Sequence, residues 1–154
     1  MSRKKIIALL DKKLYSDFMP IFVVHEHHAR HLHFDFRLEM QGVLKSWAVP
    51  KGPSMNPADK RLAIMVEDHD IDYSSFEGVI PEGQYGAGTV VIWDKGQYAL
   101  LDGSIGSGRI EFALQGKKLK GVFILIKMKG KDKEWLLVKK RDEYADPDFV
   151  LKTV

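Results

Sequence analysis

Cysteine is absent from the sequence, which excludes disulfide staples and thiolate metal sites, so any bound metal has to be held by nitrogen and oxygen ligands. A long apolar run is absent too. The opening "MSRKKIIALLDKK" mixes basic and apolar residues, and Asp11, Lys12 and Lys13 break it well short of a signal peptide or a membrane span. The expectation is a cytoplasmic protein with no membrane segment, in the compartment that holds nucleic acids and nucleotides. Neither charge sign dominates: 24 Lys and Arg stand against 21 Asp and Glu, a net charge of +3 with a pI near 9.0. That lean suits a phosphate-bearing partner, yet the excess is too small to require one. Helical periodicity is scarce as well. Residues 2–17 carry a short amphipathic pattern through Ile6, Leu9, Leu10 and Leu14, hardly longer than three turns, and nothing like it follows.

After Pro20 the texture is that of strands. "IFVV" leads into a histidine-rich stretch, "GVLKSWAV" stops at Pro50, and "RLAIMVE" runs into an acidic segment. "GTVVIWD" reads as cut by the turn "DKG" before "QYALL". "GRIEFAL", "GVFILIKM" and "EWLLVKK" are separated by the connectors "QGKKLKG" and "KGKDK", which have hairpin character. Thirteen glycines punctuate these strands. The pattern predicts a mainly all-β fold, a small closed or nearly closed β-barrel behind a short N-terminal helix, because closure hides strand edges that an open sheet would expose. The length suits one compact domain over residues 1–154, and no repeat, low-complexity tract or linker divides it.

The richest stretch is "HEHHARHLHFDF", residues 25–36, which holds five of the six histidines. From His31 the alternation is strict. His31, His33, Asp35, Arg37 and Glu39 project from one strand face, and Leu32, Phe34, Phe36, Leu38 and Met40 from the other, which leaves a polar row on the surface opposite the core. A tight connection through Ala29 and Arg30 folds His27 back beside His33 if the register allows it. His27, His33 and Asp35 then offer two imidazoles and one carboxylate, a donor set suited to Mn, Fe or Zn with positions left open. Arg37, one step along the same face, adds a fixed cationic fork of the kind that grips phosphate. The plainer alternative is a solvated strand face, on which His28 and His31 are more at home than in a ligand shell. A purification tag is a poor match, since the histidines are interrupted, internal and followed by a patterned strand.

Further along come "SWAVPKGPS", "EDHDIDYSSFEG" and "PEGQYGAGTVVIWDKG". In the acidic loop His69 has two readings, a solvated side chain or a phosphate ligand and general acid whose basicity Asp68 and Asp70 raise. Tyr73 reads equally as core or as a hydroxyl that orients a phosphate oxygen. "GQYGAG" lacks the flanking strand and helix of a nucleotide cradle and reads as barrel turn chemistry.

Together with "HLHFDFRLEMQGVLKSWAVPKGPS", these motifs closely resemble the 3'-phosphoesterase module of bacterial ATP-dependent DNA ligase D and its stand-alone archaeal relatives, densely over about residues 22–100 and loosely beyond. The resemblance implies a small β-barrel enzyme, manganese-dependent with zinc or another divalent ion as alternatives, that removes a 3'-phosphate and, as a diesterase, a 3'-terminal ribonucleoside. It implies metal binding by His27, His33 and Asp35, and contact with the scissile phosphate by Arg37, His69 and Tyr73. Lys51 and Arg61 match positions that support phosphate or strand binding, and His25, on the substrate side, stands where many relatives have glutamine. The implied partners are DNA or RNA-tipped 3' ends at primer-templates, with a DNA ligase and a primase/polymerase in the same repair pathway. Residues 1–19 diverge: "DKKLYSDFMP" does not reproduce the "TPEP"-like stretch of ligase-fused relatives, so the monoesterase step is implied more directly than the diesterase step. The rival from another class is a noncatalytic DNA-end-binding or recruitment module, and a cupin-like small-molecule metalloenzyme is a third reading.

Overall fold

The structure, a computed structural model, describes residues 19–154; the helix expected over residues 2–17 lies outside them. Nine strands follow in chain order: β1 (Ile21–His28), β2 (Leu32–Met40), β3 (Val43–Val49), β4 (Arg61–His69), β5 (Gly78–Ile80), β6 (Gly88–Ser104), β7 (Arg109–Gln115), β8 (Lys120–Lys127) and β9 (Glu134–Lys139), with a 3-10 helix (Ile71–Ser75) between β4 and β5. Every pairing is antiparallel. The order β1-β2-β3-β4-β9-β8-β7-β6 returns to β1 through the β1–β6 pairing, which closes an eight-stranded barrel and leaves β5 as a short addition beside β6. The closed all-β barrel is thus the fold.

Turn chemistry sets the registers. Gln41 and Gly42 both have positive φ, 53° and 81°, in a two-residue turn that pairs Met40 with Val43, the geometry whose twist matches the strands it joins. Across the Ala29–His31 connection His28 pairs with Leu32 and His27 with His33. Period-two alternation then sends Phe34, Phe36 and Leu38 of β2 inward, where they meet Trp47 of β3, Phe112 of β7, Phe123 of β8 and Trp135 of β9. Phe36 and Phe112, on strands that are not neighbours in the ring, sit 5.8 Å apart by ring centroid, a contact made across the barrel interior.

One expected turn is not a turn. "DKG" at 94–96 lies within β6, which runs unbroken from Gly88 to Ser104. Pairing with β1 extends along this stretch from Thr89 to Gln97, with a register shift between Val24 and His25. The Asp94 carboxylate caps a different segment, accepting from the backbone N–H groups of Lys117, Lys118 and Leu119 at 2.9, 3.1 and 2.8 Å. Gly96 passes so close to the Gln115 carbonyl that a Cβ would stand 2.0 Å from it, so this glycine serves strand crossing and not chain reversal.

No helix among the described residues is long and apolar enough to cross a membrane.

Candidate active site

Because Phe34, Phe36 and Leu38 take the interior, Asp35 and Arg37 point out of the barrel wall. They do not reach solvent, which corrects the expected surface row. Asp35 is 6% exposed and Arg37 3%. The cause lies downstream: the 3-10 helix, Phe76 and the loop at 81–87 fold over this outer face. The Phe76 carbonyl meets His25, the Tyr73 ring lies under Arg37, and the Gly86 carbonyl meets His27.

His27 and His33 face each other across the β1–β2 pair with ring centroids 4.7 Å apart. Each ring has one nitrogen tied to a backbone carbonyl, which can only accept: His27 Nε2 donates to Gly86 O at 2.7 Å, and His33 Nδ1 donates to His31 O at 3.1 Å. The remaining nitrogens both point at Asp35, His27 Nδ1 at 3.4 Å from one carboxylate oxygen and His33 Nε2 at 3.3 Å from the other. In neutral rings these nitrogens are lone pairs aimed at an anion, an arrangement that is stable only with a proton or a cation in between. The three donor atoms lie within 4.8 Å of one another. Two imidazoles with their outer nitrogens fixed by carbonyls, plus a carboxylate, fit a divalent metal.

The local electrostatics follow from burial and from these contacts. Burial alone would raise the Asp35 pKa, but hydrogen bonds from His27 and His33 and the Arg37 charge hold it well below the ordinary carboxylate range. The bond to Asp35 raises His33 against its own desolvation. Arg37 is shared three ways: Nη2 to Asp35 Oδ2 at 3.3 Å, Nε to His25 Nδ1 at 3.1 Å and Nη1 to Ser46 Oγ at 2.9 Å. Its guanidinium carbon also lies 5.0 Å from the centre of the Tyr73 ring. Tyr73 stacks with His69 at 4.4 Å and with Phe76 at 5.0 Å. Burial, then the Arg37 charge, lowers the His69 pKa, and burial raises that of Tyr73.

The structure therefore brings His25, His27, His33, Asp35, Arg37, His69 and Tyr73 into one cluster. His25 is wholly buried with both nitrogens engaged, so it backs Arg37 and presents no face to a substrate. Lys51 is exposed in the turn after β3. Arg61 opens β4 and its Nη2 lies 3.5 Å from Asp59; neither makes a hydrogen bond or ion pair with the cluster residues. His28 pairs with buried Glu26 instead. Sequence reasoning missed three supports: Ser46 behind Arg37, and the carbonyls of Phe76 and Gly86. Ser46 had a signal, a hydroxyl in the middle of an apolar strand. The carbonyls had none, because a main-chain oxygen leaves no mark in residue identity.

The family model described as the DNA Ligase D 3'-phosphoesterase domain matches residues 25–127. The multifunctional non-homologous end joining protein LigD of Pseudomonas aeruginosa is 52% identical over 129 residues, covering 80% of this chain and 15% of that protein. Its counterpart in Mycolicibacterium smegmatis is 47% identical over 131 residues, 79% of this chain and 17% of that protein. The chain thus spans well under a fifth of the length of these relatives.

Proposed function

Given that the chain belongs to the DNA ligase D 3'-phosphoesterase domain family, we propose that it is a metal-dependent phosphoesterase that trims DNA 3' ends. Its reactions are removal of a 3'-phosphate and, as a diesterase, of a 3'-terminal ribonucleoside at primer-templates. The setting is end-joining repair in the cytoplasm, alongside a DNA ligase and a primase/polymerase. The observation that carries the reading is the pair of imidazoles whose outer nitrogens are held by carbonyls while their inner nitrogens converge on Asp35 beside Arg37.

His27, His33 and Asp35 would hold the ion, with Mn the first choice and Zn another. When bound, a divalent ion supplies Lewis-acid neutralisation of phosphate charge and a lowered pKa for the attacking water. Asp35 and Arg37 cancel one another in charge, so the loaded site is net positive, which suits a phosphomonoester carrying about −1.5 to −2. Arg37 is locked by Asp35, His25 and Ser46, so no reorganisation is needed when phosphate arrives. Held toward its neutral form, His69 donates an N–H to a nonbridging oxygen; the arriving negative charge raises its pKa, so the ring takes up a proton from solvent and, as imidazolium, can pass it to the leaving oxygen and return to neutral. Tyr73 keeps the His69 ring in place by stacking.

The test is incubation with primer-template DNA ending in a 3'-phosphate or in one 3'-ribonucleotide, with Mn, Mg, Zn or no metal. Metal-dependent release of phosphate is expected. No product from either end with any metal would leave a noncatalytic DNA-end-binding module as the better reading.

A further inference from the structure

The loop between β5 and β6 carries a side chain that the fold does not use. Tyr85 is 100% exposed, and among the described residues neither its ring nor its hydroxyl has a partner. A tyrosine held wholly in water adds nothing to the core and leaves a large apolar ring hydrated.

The backbone beneath that ring is, by contrast, well fixed. Gln84 N–H donates to Pro81 O and Ala87 N–H to Gln84 O, each at 3.2 Å. The next residue, Gly86, has φ 76° and turns its carbonyl onto His27 Nε2 at 2.7 Å. A Cβ at Gly86 would stand 3.4 Å from His27 Cε1 and 3.9 Å from Ile80 Cδ1, so the loop lies directly on the cluster. Standard backbone dimensions put the Tyr85 Cα within roughly 9 Å of His27 Nε2. A free aromatic face is thus anchored one residue from the carbonyl that holds a candidate metal ligand.

We propose that Tyr85 is the platform on which the base of the 3'-terminal nucleotide stacks while its 3'-phosphate meets Arg37 and His69 beside the His27, His33 and Asp35 cluster, a subsite that rests on the phosphoesterase reading above. Stacking is sequence-tolerant, since every base has a π-face. The four bases should therefore be accepted alike, and an end without a base should be handled poorly.

The test uses the full chain with Mn and a primer-template whose terminal nucleotide is 2-aminopurine 3'-phosphate, against the same DNA with an abasic 3'-phosphate there. Wild type should quench 2-aminopurine fluorescence on binding and show a KM for the base-bearing end about 5- to 150-fold below that for the abasic end. Tyr85→Ala should lose the quenching and raise the base-bearing KM to the abasic value. Tyr85→Phe and Tyr85→Trp should restore both, because the ring and not the hydroxyl stacks. Quenching that survives Tyr85→Ala, a Phe variant that fails to rescue, or an equal KM increase on the abasic end would overturn the platform; the last would mean that the loop acts only through His27. Absence of DNA binding by wild type would overturn it as well. The two readings fail separately: quenching without hydrolysis sinks the phosphoesterase and leaves the platform, whereas hydrolysis with equal KM for both ends does the reverse.

Discussion

Arg37 donates from Nε to His25 Nδ1 at 3.1 Å, and that bond decides the state of a histidine with no exposure to solvent. The accepting nitrogen must carry a lone pair, so the proton sits on Nε2, where it is donated to Phe76 O at 3.1 Å. Burial, reinforced by the Arg37 charge, lowers the His25 pKa from 6.5 to about 4. The unfolded chain therefore takes up this proton first. The contribution to stability is full above pH 6.5 and is lost as pH falls from there toward about 4. His25→Gln keeps a donor and an acceptor but cannot titrate, so it should flatten the acid limb of the unfolding free energy by up to ~3 kcal/mol. Urea unfolding of the metal-free protein at the two ends of this window checks it; limbs of equal slope in variant and wild type would remove His25 as the source.

His33→Ala and Asp35→Ala should both lose bound metal, but they should differ in stability. The His33 side chain is 24% exposed and that of Asp35 8%. Truncating Asp35 strips buried Arg37 of its counter-charge, a change worth about 3 kcal/mol or more, whereas truncating His33 leaves Asp35 still paired with His27 and Arg37 through its other oxygen. Elemental analysis with thermal melts separates the two effects, and unchanged metal stoichiometry in both variants would remove these residues from the site.

Arg37→Lys should recover only part of the activity lost in Arg37→Ala. An ammonium restores the charge, but it cannot reach Asp35, His25 and Ser46 in three directions at once. Single-turnover rates on a 3'-phosphate end measure the difference, and full rescue by lysine would show that charge alone matters at this position.

His69→Ala should keep manganese bound while losing turnover about 100- to 1000-fold, the range found when one donor to a developing oxyanion is removed. Its ring stacks on Tyr73 and belongs to none of the close donors around Asp35. Metal titration beside single-turnover kinetics is the check; release of the metal on substitution would move His69 into the ligand set.

The sequence by itself determined the strand faces and most of the candidate cluster. Alternation from His31 to Met40 assigns Phe34, Phe36 and Leu38 to the interior and Asp35 and Arg37 to the outer side, since side chains on a strand alternate whatever lies around them. A three-residue connection then leaves little freedom for where His27 lands. The tertiary structure decided what covers that outer face. Coverage depends on where residues 70–87 travel after β4, and no local pattern in those residues encodes their distance from β2. That path turns an expected surface row into a buried pair, closes Nε2 of His25 with the Phe76 carbonyl and places the Gly86 carbonyl on His27. The same dependence misled the reading of "DKG": its residues have turn propensity, but pairing with β1 and the backbone N–H groups that gather around Asp94 offered more hydrogen bonds than a local reversal could. Residue identity sets side-chain chemistry and local periodicity; burial, and with it protonation and the roles of main-chain carbonyls, is a property of the closed fold.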